Sequence, residues 1–263
     1  MNMITINWIL YALAVLSVGS YAAAFTARWP IKNIYLWNKE AHDFLSLPFD
    51  KRPPDNIRKN RSHCFQCNHP LTWQDLIPLV SYLVLKGKCR YCQAKISYRY
   101  PAIELLHIVC CLPLFWMFTD IYQLVLHTLL VSTLITAAAI DFEHQLIPDE
   151  CSTIALACAL LLNLSTNTLE SSVLGMIIGY GFVYTLRWFY LRFRGQEGIG
   201  MGDAKIIAAL GAWLGLSNLA PLLLCASLSG ILYTVIVNGN ESKYMAFGPF
   251  LIFSAMLVFI FNL

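Results

Sequence analysis

A single carboxylate ends the apolar stretch LITAAAID, residues 134–141, which indicates a membrane-spanning helix that finishes at Asp141. A second carboxylate, Asp203, stands near the start of the stretch GMGDAKIIAAL, residues 200–210. Ionisable groups at membrane depth are costly and usually face a protein interior or a water-filled cavity. The two stretches therefore predict two apolar helices on which Asp141 and Asp203 can meet as an acid/base pair.

The composition is that of a membrane protein. Of the 263 residues, 58% are hydrophobic and only 13% are charged, and the mean hydropathy is +0.59; a soluble domain carries about 25% charged residues. The chain is therefore predicted to be an all-α polytopic membrane protein. Six apolar runs of about 17–25 residues and two shorter ones of about 14, the fourth and the sixth, predict about eight transmembrane helices. They lie near residues 6–27, 101–118, 121–140, 151–164, 172–191, 204–217, 219–237 and 245–262.

The basic residues predict the orientation of the chain. Most of the 18 Lys and Arg residues lie between Arg28 and Arg99, and with eight spans all of them fall on one side of the membrane. Because positive charge marks the cytoplasmic face, that side is predicted to be the cytoplasm, with both termini extracytoplasmic. The net charge of +3 is thus a topology signal, and membrane lipid is the expected contact. No basic helix or RNA-binding motif indicates a nucleic acid partner.

Three segments are predicted from this map. They are a first transmembrane helix at residues 1–27, a small hydrophilic cytoplasmic insert at residues 28–100, and a transmembrane helical core at residues 101–263. The insert contains two CxxC pairs, Cys64/Cys67 and Cys89/Cys92. Two such pairs can present four thiolates tetrahedrally to zinc, and their separation is close to the zinc-ribbon range.

Two disulfides or a redox pair are the alternatives to zinc, but thiols stay reduced in the cytoplasm. A structural rather than a catalytic zinc is predicted, because four cysteines leave no open coordination position. His63 and His69 flank the first pair and are expected to be solvated loop residues. The other five cysteines lie in or at the ends of apolar spans and are expected to pack as small apolar side chains.

Asp141 and Asp203 are the predicted catalytic pair. Asp149 follows Pro148 in a pattern typical of a helix start, whereas the only structural explanation for Asp141 is an interfacial position at a helix end. The glycines before Asp203 let the backbone pass close to other backbone or to an extended peptide. Two carboxylates in a partly dry site share one proton. The pair can therefore supply a base that activates water and an acid that protonates a leaving amine.

Three neighbouring residues are alternatives for the acid/base role: Glu143, His144 and Glu150. His144 could also join a metal site with Asp141, Glu143 and Asp149, although no HExxH pattern accompanies it.

Lys205 and Glu104 also lie close to predicted membrane boundaries. Lys205 either tunes the aspartate pair or extends its side chain to the lipid headgroups. Glu104 lies just inside the second predicted span, beneath the cysteine-bearing insert.

Several sequence blocks resemble the bacterial type IV prepilin peptidases, membrane aspartic proteases that are also called prepilin leader peptidases. The blocks are Gly19-Ser20 with Arg28-Trp29-Pro30, the two CxxC pairs, IPLVSYL at 77–83, residues 99–104, 141–149 and 200–205, and Phe247-Gly248-Pro249. A lone GxGD motif is weak evidence, but these blocks occur in order along nearly the whole chain.

The resemblance implies that Asp141 and Asp203 are the catalytic aspartates. Members of that family cleave the short basic leader of prepilins and pseudopilins just after a glycine, at the cytoplasmic side of the bacterial inner membrane. They often then methylate the new N-terminal amine, usually of phenylalanine, with S-adenosylmethionine. The cysteine insert holds zinc in many members and is tied to methylation. This chain has no Rossmann-type glycine fingerprint, so S-adenosylmethionine is expected on the resemblance alone.

One departure from the family pattern bears on methylation. Family members commonly read GSFLN at the end of the first span, whereas residues 19–23 here read GSYAA, so Ala23 replaces the polar asparagine. If that asparagine acts in methyl transfer, its replacement by Ala23 affects methylation here but not proteolysis.

Two other functions fit parts of the pattern. A proton-coupled membrane transporter uses intramembrane carboxylates as proton relays, which explains the aspartates but not the cysteine pairs. A non-enzymatic pilus assembly protein could use the insert for docking. The ordered blocks favour the peptidase over both.

Overall fold

The computed structural model describes residues 3–54, 61–166, 168–196, 198–237 and 245–261, and these residues form an all-helical protein. Isolated β-bridges join His63 to Pro70 and Lys88 to Lys95, and no strand forms within the described ranges. The predicted all-α class is therefore confirmed. The ends of the predicted segments at residues 1–2 and 262–263 lie outside the described residues.

The chain divides into two compact units, Met1–Pro113 and Leu114–Leu263. The helices of the N-terminal unit are α1 (Met3–Phe44), α2 (Val80–Val84) and α3 (Arg99–Cys111), with a 3-10 turn at Trp73–Leu76. The helices of the C-terminal unit are α4 (Leu114–Met117), α5 (Ile121–His144), α6 (Asp149–Ser165), α7 (Leu169–Arg194), α8 (Met201–Leu214), α9 (Leu219–Val237) and α10 (Gly248–Phe261), with a 3-10 turn at Leu216–Asn218.

Helix α1 continues well beyond the predicted boundary at residue 27 and includes Pro30. It ends at Phe44, just before Ser46 takes a positive φ of 55°. The first part of the hydrophilic segment, residues 28–44, is therefore a continuation of the first helix. The predicted boundaries of the insert, at residues 28 and 101, stay a prediction.

Five helical stretches among the described residues are long and apolar enough to cross a membrane. They are Ile4–Phe44, Arg99–Met117, Ile121–His144, Leu169–Arg194 and Leu216–Ile236. The predicted count of eight spans is not confirmed, because α8 and α10 have only 14 residues each and α6 has 17. At a rise of about 1.5 Å per residue, a 14-residue helix covers about 21 Å of a hydrocarbon core that is about 30 Å thick.

The C-terminal unit is arranged around α5 and α8. In α5, 67% of the apolar stretch is buried, against 22% in α7 and in Leu216–Ile236. Helix α5 packs against α6 and α10, and α8 packs against α6, α7 and α10. Helix α9 exposes large apolar side chains such as Leu228 and Val235, as expected for a helix that faces lipid. The two predicted catalytic residues thus lie on the two central helices.

Helices α7 and α8 approach each other closely at Gly175 and Gly211. A Cβ atom at either position would collide with the backbone carbonyl of the other glycine. Small residues let helix backbones come together in membrane proteins, where close packing replaces the hydrophobic effect. This contact fixes α8, and with it Asp203, against α7.

Gly175→Ala is expected to destabilise the C-terminal unit by about 1–3 kcal/mol, because backbone must move to make room for the methyl group. Gly181 is the matched control, since it lies on the same helix and a Cβ there meets no atom within 4 Å. Gly181→Ala is expected to be neutral or to stabilise by roughly 0.5–1 kcal/mol. Thermal unfolding in one detergent measures both variants, and equal melting temperatures would contradict the close contact.

Candidate active site

Asp141 lies in the last turn of α5 and is 5% exposed. The helix ends at Gln145, which adopts a left-handed conformation with φ 55° and donates its backbone N–H to the Asp141 carbonyl oxygen at 2.8 Å. The carboxylate itself accepts the backbone N–H of Gly248 through Oδ2, at 2.9 Å. The first residue of α10 therefore holds the Asp141 side chain in place.

Asp203 lies in the first turn of α8, where the positive end of the helix dipole favours a carboxylate. Its carboxylate lies beside Gly200, the residue that caps the helix, because Oδ2 is 3.3 Å from the position of a Cβ at Gly200. A Cβ at Gly202 would come within 2.9 Å of the Ile147 side chain. Glycine is therefore required before Asp203 because the loop ahead of α6 packs against the start of α8.

Asp141 and Asp203 line the same cavity, whose volume is about 960 Å³, and the two carboxylates interact electrostatically. Apolar walls come from α7 and α9, through Phe182, Leu186 and Leu223. A cavity of this size has room for an extended peptide and a water molecule beside the carboxylates. The structure thus brings together the two residues that the sequence singled out.

Lys205 does not line this cavity. Its Nζ donates to Asp149 Oδ1 at 2.6 Å, and both side chains are partly exposed. Asp149 begins α6 after Pro148, as the sequence predicts for a helix start. The ion pair accounts for both charges without a role in the aspartate site.

Glu143 and His144 also lie outside the cavity. His144 Nε2 is 3.8 Å from Glu143 Oε2, and each side chain is about one third exposed. Within the part of the chain that the structure describes, the four insert cysteines are the one group of potential ligands that could hold a metal ion. The alternative metal site around His144 therefore has no support.

The residues that sequence reasoning missed at this site are Gln145 and the N–H of Gly248. Gln145 caps the C-terminus of α5 in a left-handed conformation, and it lines the cavity. Gly248 is followed by Pro249 at the start of α10. A Gly-Pro step is a signal for a helix start with free N–H groups, but nothing in the sequence says which acceptor they meet.

The four insert cysteines form a second cluster, in the N-terminal unit. The Sγ atoms of Cys64, Cys67, Cys89 and Cys92 all lie within 4.8 Å of one another. Each CxxC pair belongs to a tight hairpin: Cys64 N–H donates to the His69 carbonyl at 3.0 Å, and Cys89 N–H donates to the Ala94 carbonyl at 2.8 Å. This geometry matches the tetrahedral four-thiolate pattern of a structural metal site.

Cys64 and Cys92 do not ionise alike. Burial opposes ionisation of Cys64, but hydrogen bonds from the backbone of Cys67 and Gln66 and from neighbouring thiols lower its pKa to about 7. The backbone N–H of Ala94 favours the Cys92 thiolate, but burial and the neighbouring thiols raise its pKa to about 11. A metal cation would supply the charge that lets all four bind as thiolates.

The histidines beside the first pair are not part of the cluster. The expectation that both are solvated is wrong for His63, which is 7% exposed. His63 Nδ1 lies 3.0 Å from the Arg61 carbonyl oxygen, and the His69 ring stacks on Tyr91 with ring centres 3.6 Å apart. Of the other cysteines, Cys111, Cys151 and Cys158 are buried in helices, in agreement with the packing role expected for them.

Comparison with known families divides the chain in the same way as the fold. The Bacterial Peptidase A24 N-terminal domain matches residues 13–118. The Type IV leader peptidase family matches residues 128–235, which include both aspartates. No solved structure matches the chain.

Curated relatives extend the similarity to nearly the full length. The prepilin leader peptidase/N-methyltransferase of Neisseria gonorrhoeae is 37% identical over 258 residues, covering 96% of this chain and 90% of the relative. The protein of the same name from Aeromonas salmonicida is 36% identical over 257 residues, covering 93% and 88%. The one from Dichelobacter nodosus is 34% identical over 255 residues, covering 94% and 89%.

The fold and the cavity define a multi-pass membrane protein with a paired-carboxylate site at the ends of its two central helices. Together with the relatives, this assigns the family. The chain belongs to the type IV leader peptidase family.

Proposed function

We propose that this chain is an aspartic endopeptidase of the bacterial inner membrane. It removes the leader peptide from type IV prepilins or type II secretion pseudopilins at the cytoplasmic face. The observation that carries the proposal is that Asp141 and Asp203 line one cavity within the region that matches the leader peptidase family. The substrate is the N-terminal segment of the prepilin, whose apolar helix lies against the apolar walls from α7 and α9.

Asp141 and Asp203 divide the acid and base roles between them. The ionised carboxylate takes a proton from a water molecule, whose oxygen attacks the scissile carbonyl carbon and forms a tetrahedral intermediate. The protonated carboxyl then gives its proton to the leaving amine, and the C–N bond breaks. The Gly248 N–H keeps Asp141 oriented during both steps, because it binds Oδ2 and leaves Oδ1 available to the reaction. The pair titrates jointly, so the two roles belong to the pair.

A methylation step follows cleavage in this proposal. The relatives carry the name N-methyltransferase along with leader peptidase. S-adenosylmethionine supplies the methyl group, which the new N-terminal amine of the mature pilin receives. The residues that would hold this donor belong to the N-terminal unit.

The insert is proposed to lie in the cytoplasm and to bind one structural zinc ion through Cys64, Cys67, Cys89 and Cys92. The basic residues of the segment support its side of the membrane. The clustered thiols support the metal. Zinc would lock the two hairpins together, since a tetrahedral four-thiolate site contributes directly to folding.

Asp141→Asn and Asp203→Asn are each expected to lower the rate of leader cleavage by about 10²–10⁴-fold or more, because each removes a proton-transfer group. Asp149→Asn is the matched control: Asp149 lies outside the cavity, and its exposed ion pair with Lys205 is worth only about 0–1 kcal/mol. The intact mass of a prepilin incubated with each purified variant, with and without S-adenosylmethionine, measures both activities.

Substantial cleavage by either Asn variant would refute the catalytic pair. Proton flux into liposomes that depends on Asp141, with no change in prepilin mass, would instead identify a transporter. Prepilin binding without processing by the wild-type protein would identify an assembly factor.

Gly248→Ala is expected to slow cleavage by at least about tenfold, since misplacing a catalytic group by about 1 Å can cost about 10²-fold. The added Cβ would lie 2.7 Å from Asp141 Oδ2 and would push the carboxylate from its N–H donor. Gly181→Ala, in open space, serves as control for the glycine replacement. Initial rates with a saturating prepilin measure the effect, and a wild-type rate for Gly248→Ala would show that the contact is dispensable.

Purified protein is expected to contain about one zinc per chain, and Cys64→Ser combined with Cys89→Ser is expected to remove nearly all of it. Cys225→Ser keeps the metal, because this exposed thiol lies on α9 outside the cluster. Inductively coupled plasma mass spectrometry of freshly reduced samples gives the ratio. Metal-free wild-type protein, or full zinc in the double variant, would contradict the assignment.

A further inference from the structure

The N-terminal unit contains a cavity of its own, with a volume of about 410 Å³. One wall is α1, through Ser20, Ala24 and Arg28. The cysteine hairpins and the start of α3 form the others. The aspartate cavity shares none of its lining residues, so this cavity needs an explanation beyond leader cleavage.

The sequence blocks that the aspartate site leaves unused meet at this cavity. Four of them contribute lining residues. These are Ser20 and Arg28 from the first block, Cys64 and Cys89 from the CxxC pairs, Ser81 and Tyr82 from IPLVSYL, and Arg99, Tyr100, Pro101 and Glu104 from the block that begins α3. They are far apart in sequence and share no role in holding the two aspartates. Their convergence on one cavity indicates a common ligand.

Two carboxylates in the cavity wall are buried and fixed. Glu104 is 6% exposed, and its Oε2 accepts the backbone N–H of Leu79 at 2.8 Å. Leu79 has a φ of 56°, an unfavourable value for a leucine. Backbone strain of this kind persists only where surrounding structure enforces it, and it clusters at functional sites. Glu104 therefore acts as a rigid part of the wall.

Asp75 is the second fixed carboxylate, and its side chain is 3% exposed. It accepts hydrogen bonds from Arg90 Nε at 2.8 Å and from the Thr72 hydroxyl at 2.7 Å. Partial burial alone would raise the pKa of Asp75, but these bonds and the Arg90 charge hold it below its usual value. Asp75 is thus ionised at neutral pH.

Basic and aromatic side chains complete the lining. Arg28 Nη2 donates to the Ser62 hydroxyl at 3.2 Å, so its guanidinium is held at the cavity wall. Arg99, Tyr82 and Tyr100 also line the cavity. The wall therefore presents acidic, basic and aromatic side chains within one cavity.

S-adenosylmethionine has the matching chemistry. Its methionyl part carries a carboxylate, an ammonium group and a cationic sulfonium, and its adenine is a flat aromatic ring with a ribose attached. Guanidinium groups recognise carboxylates, carboxylates attract cations and accept hydrogen bonds from ribose hydroxyls, and tyrosines offer surface for adenine. The volume falls in the range of about 300–1,000 Å³ of small-molecule sites. The residues present therefore fit the donor.

We propose that this cavity of the N-terminal unit is the S-adenosylmethionine site. The proposal rests on the methylation step of the proposed function and assigns it to a place and to residues. In the transfer, the amine nitrogen of the mature pilin, after losing a proton to solvent, bonds to the methyl carbon of the donor. The carbon–sulfur bond breaks, and S-adenosylhomocysteine leaves.

Ala23 acquires a clear position in this arrangement. It is 1% exposed on α1, between Ser20 and Ala24, and it does not line the cavity. The residue that replaces the family asparagine is therefore next to the cavity wall but not part of the lining. The proposed donor site does not need a polar side chain at this position.

The test measures the affinity of the full-length protein in detergent micelles for S-adenosylmethionine, by isothermal titration calorimetry. Wild-type protein is expected to bind one equivalent with a Kd between about 1 μM and 1 mM, the usual range for enzyme substrates. Ala24→Phe fills the cavity and is expected to weaken binding at least about tenfold. Ala14→Phe makes the same change on an exposed part of α1 and is expected to bind like the wild type.

Arg28→Gln adds no volume and keeps the test decisive should Ala24→Phe fail to fold. It is expected to weaken binding at least about tenfold, the effect of losing a charge-assisted hydrogen bond. Unchanged affinity in both variants, or no binding to the wild type, overturns the proposal. Leader cleavage by the same samples is measured alongside, so a failure of the peptidase assignment is seen separately from a failure of this site.

Discussion

The placement of two carboxylates in an apolar helical core, Asp141 buried and Asp203 half-buried, is the constraint on which the C-terminal unit depends. A buried charge is costly unless hydrogen bonds or a helix dipole compensate for it. Here three helix ends converge to do so: the C-terminus of α5 carries Asp141, the N-terminus of α10 donates the Gly248 N–H, and the N-terminus of α8 carries Asp203. Because two of the three are N-termini, their free N–H groups and positive dipole ends face the carboxylates.

Other contacts of this unit hold the three helix ends in place. The contact between Gly175 and Gly211 sets the position of α8 against α7, and the ion pair of Lys205 with Asp149 ties the start of α8 to the start of α6. Helices α7 and α9 supply the apolar walls of the cavity and expose other apolar side chains on their surfaces. A substrate whose recognised segment is itself an apolar helix can therefore approach the carboxylates without leaving an apolar environment.

Each unit contains one of the two proposed sites. The cavity of Asp141 and Asp203 lies wholly in the C-terminal unit, and the cysteine cluster and the second cavity lie wholly in the N-terminal unit. The family matches divide the chain at nearly the same place. Hydrolysis needs a carboxylate pair that a water molecule can reach, whereas methyl transfer needs a pocket shaped for a charged methyl donor. One site could not easily satisfy both requirements. The cysteine hairpins suit a methyl-donor pocket, because a metal that joins them would fix the part of the cavity wall that is not helical.

The sequence alone determined the membrane class, the four-cysteine cluster and the identity of the aspartate pair, since each depends on short-range features. Apolar content is a property of single residues, and each CxxC pair closes its own hairpin. The tertiary structure decided the rest. Among the described residues it gave five long apolar helices where the apolar runs predicted eight spans, because α6, α8 and α10 have only 17, 14 and 14 residues. It also placed the Gly248 N–H on Asp141 across 107 positions of sequence, and gathered distant blocks around a second cavity. Contacts of this kind depend on how helices pack, and packing joins residues whose spacing along the chain carries no periodic signal.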